Sequence, residues 1–72
     1  EEAMQVFELA VAKYPDAPQA YLNLSEGLLI SGEIERAKEV FDLALSMNAP
    51  ATAYVAFLKE RIEVALENQP KT

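Results

Sequence analysis

Apolar residues recur at helical spacing in four stretches of this chain, and no stretch alternates strictly as a strand would. Turn-forming residues separate the stretches at positions 14–18, 31–32, 48–50 and 68–70. The pattern therefore predicts four helices, over about residues 2–14, 17–31, 34–47 and 50–67. Because the connections are short, successive helices are expected to pack as antiparallel hairpins.

Each predicted helix carries one apolar face, which we expect to form the interior. The faces comprise, in chain order, Ala3, Phe7, Ala10 and Val11; Tyr21, Leu24 and Leu28; Ile34, Ala37, Phe41, Ala44 and Leu45; and Val55, Leu58, Ile62 and Ala65. Phe57 and Val64 lie off the last face. The fourth helix is therefore apolar over a wider arc than one neighbour requires.

The predicted helix ends rest on residues with known capping behaviour. Asp16 and Gln19 have the spacing of a capping box, and Pro18 would sit in the first turn of the second helix. Gly32 is expected to end that helix in a left-handed conformation.

A trio of small, aromatic and small residues recurs after 34 positions: Ala3, Phe7 and Ala10, then Ala37, Phe41 and Ala44. A fixed period of this length is typical of stacked repeat arrays. A helical pattern is already running at Glu1, which is not Met. We therefore expect the chain to be a section of a longer protein.

The spacing Tyr21-x-x-Leu24-Ser25-x-x-Leu28, then Gly32, then Ala37-x-x-x-Phe41-x-x-Ala44, resembles the tetratricopeptide repeat (TPR). The resemblance implies an all-α fold of antiparallel helical hairpins, stacked as a short right-handed α-solenoid of about four helices. It divides residues 1–67 into the second helix of a preceding repeat (1–17), one full repeat (18–51) and the first helix of a following repeat or a capping helix (52–67), with a frayed tail at 68–72.

The register of the fourth helix follows from a comparison of two spacings. A spacing of 33 aligns Ala53-Tyr54 with Ala20-Tyr21, but it places Arg61 where Leu28 is expected to be buried. A spacing of 34 instead places Val55, Leu58 and Ile62 in the interior. Burial of an unpaired Arg is costly, so the spacing of 34 is predicted.

The resemblance also implies that the first helix of each repeat lines a concave groove. The positions that would face the groove are Leu22, Asn23, Glu26, Leu29 and Ile30, followed by Ala53, Ala56, Phe57, Glu60, Glu63 and Val64. This groove would be apolar with a fringe of carboxylates, and exposed apolar surface usually marks a partner site. In the alternative interpretation, Phe57 and Val64 cover the end of the array or touch another domain of the parent protein.

Some family members use Asn at the position of Asn23 to hold a terminal carboxylate, with Lys or Arg nearby. This groove offers Glu26, Glu60 and Glu63 instead. A basic or apolar peptide or helix is therefore the expected partner.

Composition removes several functional classes. Lys and Arg number 6 against 12 Asp and Glu, and the resulting net charge of −6 disfavours nucleic acids and anionic membranes as partners. His and Cys are absent, so Ser25 and Ser46 have no imidazole base, and no catalytic residue, metal site or cofactor is expected. No apolar run approaches the roughly 20 residues of a spanning helix.

The sequence predicts a protein–protein interaction scaffold that is not an enzyme. The alternative is a C-terminal packing or oligomerisation module of an enzyme, because residues 14–24 resemble repeat tails of some bacterial serine hydrolases. Self-association through an exposed apolar flank is a third hypothesis. Helical repeats of RNA processing are a fourth, which the acidic balance disfavours.

Overall fold

The computed structural model describes residues 2–69, with side chains from residue 5 onward. Within this range the chain forms α1 (Glu2–Lys13), α2 (Pro18–Ile30), α3 (Ile34–Ser46) and α4 (Ala53–Glu67), with no strand. The predicted all-α fold of four helices is confirmed. The side chain of Ala3 and residues 70–72 of the predicted tail lie outside the described part.

The α2–α3 hairpin is the centre of the fold. Helix α1 packs on α2, α4 packs on α3, and α2 also touches α4. The molecule measures 36 × 29 × 17 Å between Cα atoms. Its thinnest dimension corresponds to two layers of helices, because packed helix axes lie about 8–10 Å apart.

Two clusters of buried side chains hold the helices together. One consists of Leu22, Phe41, Ala44, Leu58 and Ile62, and the other of Leu24, Leu28 and Ala37. Ala37 and Ala44 are completely buried, so α3 approaches its neighbours closely at both small residues. Ser25 is also fully buried, and its Oγ donates a hydrogen bond of 2.7 Å to the carbonyl oxygen of Ala37.

The burial pattern of α4 confirms the spacing of 34. Leu58 and Ile62 are buried and Val55 is partly buried, whereas Arg61 is exposed. The charged side chain thus stays in water, as the comparison of registers requires.

The turn after α2 has the predicted left-handed glycine. Gly32 has φ of 87°. The N–H of Glu33 donates to the oxygen of Leu28 at 2.9 Å, and the N–H of Gly32 donates to that of Leu29 at 3.1 Å. These two bonds form a Schellman motif, which satisfies carbonyl groups at the helix end.

The predicted capping of α2 and the predicted start of α4 are wrong. The N-cap of α2 is Ala17 and makes no side-chain capping bond, so the predicted capping box of Asp16 and Gln19 does not form. Gln19 instead donates from Nε2 to Asn23 Oδ1 at 3.1 Å. Helix α4 begins at Ala53 and not at residue 50, because the Oγ1 of Thr52 accepts the N–H of Val55 at 3.2 Å.

Candidate functional site

A cavity of about 130 Å³ opens between the C-terminal half of α2 and the middle of α4. Its lining comprises Glu26, Leu29, Ile30, Phe57, Leu58 and Arg61. Leu58 is fully buried and belongs to the interior, while Ile30 is 79% exposed and Phe57 is 49% exposed. We call this site the α2–α4 groove; it offers apolar walls to the solvent above a packed floor.

Arg61 gives the α2–α4 groove a cationic edge. It lies one helical turn after Phe57, and its Cζ is 5.7 Å from the centroid of the Phe57 ring. A guanidinium at this distance is attracted to the face of an aromatic ring. Glu26 lines the same groove, so the charged groups of the lining are of both signs.

A hydrogen-bonded cluster joins α2 to α4 beside the groove. Tyr54 Oη lies 2.8 Å from Glu26 Oε1 and 3.3 Å from Asn23 Oδ1. A phenol has one proton to donate, so the shorter contact to Glu26 is the principal bond. Burial raises the pKa of Tyr54 well above 10.0, and the hydrogen bond to Glu26 and the negative charge of Glu26 raise it further.

The structure places the predicted groove residues in several different environments. Glu26, Leu29, Ile30 and Phe57 come together in the α2–α4 groove. Asn23 lies beside it; its Oδ1 accepts a hydrogen bond from Gln19 and is 3.3 Å from Tyr54 Oη. Glu60 and Val64 are exposed on α4, as are Ala53 and Ala56, and none of these four lines the groove.

Two further residues that were predicted to face the groove lie elsewhere. Leu22 is 2% exposed and packs in the interior with Phe41 and Leu58, because α4 covers that side of α2. Glu63 lines a different cavity between α3 and α4, so it does not belong to a carboxylate fringe around the groove. Leu29 is only partly buried, but it packs against both interior clusters.

Sequence reasoning missed Arg61 and Tyr54 as parts of this region. Arg61 follows Phe57 by four residues, and this spacing places two side chains on the same face of a helix. The contact between Arg61 and Phe57 could therefore have been predicted from the sequence. Tyr54 precedes the predicted interior position Val55, and nothing in the chain pairs it with Glu26, which is 28 residues away.

A second cavity, of about 200 Å³, opens between α3 and α4 on another side of the molecule. Its lining comprises Lys38, Phe41, Asp42, Leu45, Lys59, Ile62, Glu63 and Leu66. Lys38 Nζ bonds Asp42 Oδ2 at 2.8 Å, and this hydrogen bond and the charge of Asp42 raise the pKa of Lys38. We call this site the α3–α4 notch.

The outer face of α1 is a third apolar surface. Val6 is 64% exposed and Leu9 is 68% exposed. Helix α1 therefore presents apolar side chains away from α2 as well as toward it.

Comparison with known proteins assigns no family to this chain. Neither a protein-family model, nor a curated protein, nor a solved structure matches the chain. Among the described residues, no helix combines the length and the apolarity needed to cross a membrane. The same residues contain no group of three or more acidic side chains close enough to hold a metal ion.

Proposed function

We propose that this chain is a protein–protein interaction module of the TPR type, a short section of a right-handed α-solenoid. Its α2–α4 groove would receive an apolar side chain of a partner peptide or helix. The recurrence after 34 residues supports the repeat assignment. So does the contact between α2 and α4, which are the first helices of successive hairpins in this scheme.

The exposure of Ile30 and Phe57 on either side of the groove is the observation that carries the proposal. Both side chains belong to helices, and Leu58 beneath them is buried. Removal of apolar surface from water contributes about 25 cal/mol per Å², so an apolar side chain gains by entering between them.

The charges around the groove indicate the partner's polar chemistry. Glu26 is held in position by its hydrogen bond from Tyr54, so it presents a fixed carboxylate at the groove. The chain as a whole carries a net charge of −6, which attracts basic segments from a distance. We therefore propose a peptide or helix with an apolar anchor residue and a basic residue near it.

Selection of peptides from a random helical library on the immobilised chain tests this proposal. Ile30→Arg and Phe57→Asp should each lower the affinity for the selected peptides at least tenfold, because they place a charge on the apolar walls of the groove. Both side chains are exposed, so circular dichroism should show unchanged helicity. Leu43→Asp is the matched control, since Leu43 is 48% exposed on α3 and does not line the groove.

Isothermal titration of the selected peptides into each variant gives the decisive comparison. Peptides that bind the groove variants and the Leu43 variant with equal affinity would contradict the assignment of the groove as the binding site.

The second candidate function is packing or oligomerisation, as in a module attached to an enzyme such as a serine hydrolase. The exposed pair Val6 and Leu9 on α1 favours it, because a neighbouring domain or a second copy would cover this face.

A further inference from the structure

The α2–α4 groove has charged side chains of opposite sign in its lining. Glu26 on α2 and Arg61 on α4 are the two charged residues that line it. Within the described part of the chain neither residue belongs to an ion pair, so they do not neutralise each other. The groove therefore presents a separate negative group and a separate positive group to the solvent.

The two charges lie at different points along α4. Tyr54, Phe57 and Arg61 follow one another at spacings of three and four residues, which places them on one face of the helix. Arg61 lies two helical turns beyond Tyr54, which is about 10 Å along the helix axis. The Oε1 of Glu26 is 2.8 Å from the Oη of Tyr54, so the carboxylate lies at the Tyr54 end. The order along α4 is therefore negative, apolar and positive.

Both charged groups remain open to a ligand. The hydrogen bond from Tyr54 uses Oε1 of Glu26, which leaves Oε2 to accept a bond from a cation. The side chain of Arg61 is exposed, and its Cζ lies 5.7 Å from the centroid of the Phe57 ring. A guanidinium has five N–H donors, which suit a carboxylate. Each end of the groove can thus form an ion pair with a bound segment.

We propose that the segment bound by the α2–α4 groove carries charge on both sides of its apolar anchor, with a cationic residue at Glu26 and an anionic residue at Arg61. The inference rests on the function proposed for the groove. It adds the anionic residue and the direction in which the charges of the partner segment run. A purely basic segment is a poorer ligand, because its second cation would be repelled by Arg61.

The net charge of the whole chain favours a different ligand from the one that the groove favours. A net charge of −6 attracts the most basic peptide from a distance. At about 0.15 M salt the Debye length is about 8 Å, so this distant attraction is largely screened while direct contacts persist. The charges in the groove itself should therefore decide affinity at that ionic strength.

Selection from a library of random linear peptides tests the proposal in about 0.15 M salt. The immobilised proteins are wild type, Arg61→Glu and Lys59→Glu. The two variants change the net charge equally, but Lys59 is exposed and lines the α3–α4 notch instead of the groove. Peptides from wild type and from Lys59→Glu should carry Lys or Arg on one side of an apolar residue and Asp or Glu on the other. Peptides from Arg61→Glu should carry a basic residue in place of the acidic one.

Titration of the tightest peptide from wild type measures the contribution of Arg61. In a second version of this peptide the acidic residue is replaced by its amide, which has the same shape without the charge. The amide version should bind wild type about threefold more weakly, as expected of one ion pair at a surface. The two versions should bind Arg61→Gln with equal affinity, whereas the control Lys59→Gln should keep the threefold difference.

The variant Ile30→Arg separates failure of this inference from failure of the proposed function. Peptides that bind Ile30→Arg as tightly as wild type do not use the groove and would contradict both, as would a selection that yields no peptide. Peptides that lose affinity for Ile30→Arg but carry no acidic residue, or keep their affinity when it becomes an amide, would overturn the inference alone.

Discussion

At the scale of single residues, a few polar groups decide how the helices are held. The hydroxyl of Ser25 on α2 donates a hydrogen bond to the backbone of α3, and that of Tyr54 on α4 donates one to Glu26 on α2. Both residues lie at helix contacts, where a hydrogen bond that is shielded from water contributes more to stability than an exposed one.

The raised pKa of Tyr54 predicts a loss of stability at alkaline pH. Its ordinary pKa is 10.0, and burial and Glu26 raise the value in the folded chain. Above about pH 10 the unfolded chain releases the phenolic proton while the folded chain retains it, so the free energy of unfolding must fall as pH rises. Below about pH 10 the contribution of Tyr54 to the free energy of unfolding is fully present.

Urea unfolding of wild type and Tyr54→Phe between neutral and alkaline pH measures this effect. At pH 7 the variant should be less stable by about 1 kcal/mol, because a bond to a carboxylate is lost. The difference in the free energy of unfolding should narrow above pH 10, because only the wild type loses the contribution of Tyr54 there. Tyr14→Phe is the control at pH 7 and should leave stability unchanged, since Tyr14 is 55% exposed. If the difference in the free energy of unfolding between wild type and Tyr54→Phe stayed constant over the whole pH range, the raised pKa of Tyr54 would be refuted.

At the scale of elements, backbone conformation ends the helices of the central hairpin. Gly32 and Asn48 both have positive φ, of 87° and 63°, at the ends of α2 and α3. Glycine and asparagine adopt this conformation more easily than other residues. The two ends thus set the short connections that bring α3 back along α2 and α4 back along α3.

Gly32→Ala should destabilise the chain through the backbone alone. A Cβ built at Gly32 has nothing within 4 Å, so no clash contributes. The expected loss is about 1–2 kcal/mol, the cost of a left-handed conformation for an L-residue. Gly32→Asn should lose less stability than Gly32→Ala, and the control Asn48→Gly should lose almost none. Urea unfolding curves measure all three, and an unchanged midpoint for Gly32→Ala would contradict the argument.

At the scale of the whole molecule, a thin acidic body leaves three surfaces open: the α2–α4 groove, the α3–α4 notch and the outer face of α1. The α1 face carries one carboxylate, Glu8, beside Leu9. Whether this face mediates self-association is a question about the molecule's mass in solution.

Light scattering over a dilution series answers that question. With a net charge of −6 on each copy, we expect a monomer at every concentration when the ionic strength is low. The oligomerisation candidate instead predicts a mass that rises with concentration and returns to the monomer value in Val6→Asp. Leu43→Asp serves as the control, because its charge is equal and its position is different.

The sequence by itself determined the four helices, most of their interior residues and the register of α4. The prediction that Leu45 lies in the interior is wrong, since Leu45 is 39% exposed. The correct predictions depend on local properties: helical periodicity, the conformational freedom of Gly32, and the cost of burying Arg61. Ala37, Phe41 and Ala44 were predicted to be buried and are buried, because their spacing places them on one side of one helix.

Only the tertiary structure decided which side of α2 the fourth helix covers. That choice buried Leu22, moved Glu63 to the α3–α4 notch and set Arg61 beside Phe57 in the α2–α4 groove. It also brought Tyr54 to Glu26 across 28 residues of chain. The physical reason is that an α2 that is apolar nearly all round can be covered from several directions, and the packing of α4 against α3 selects one of them.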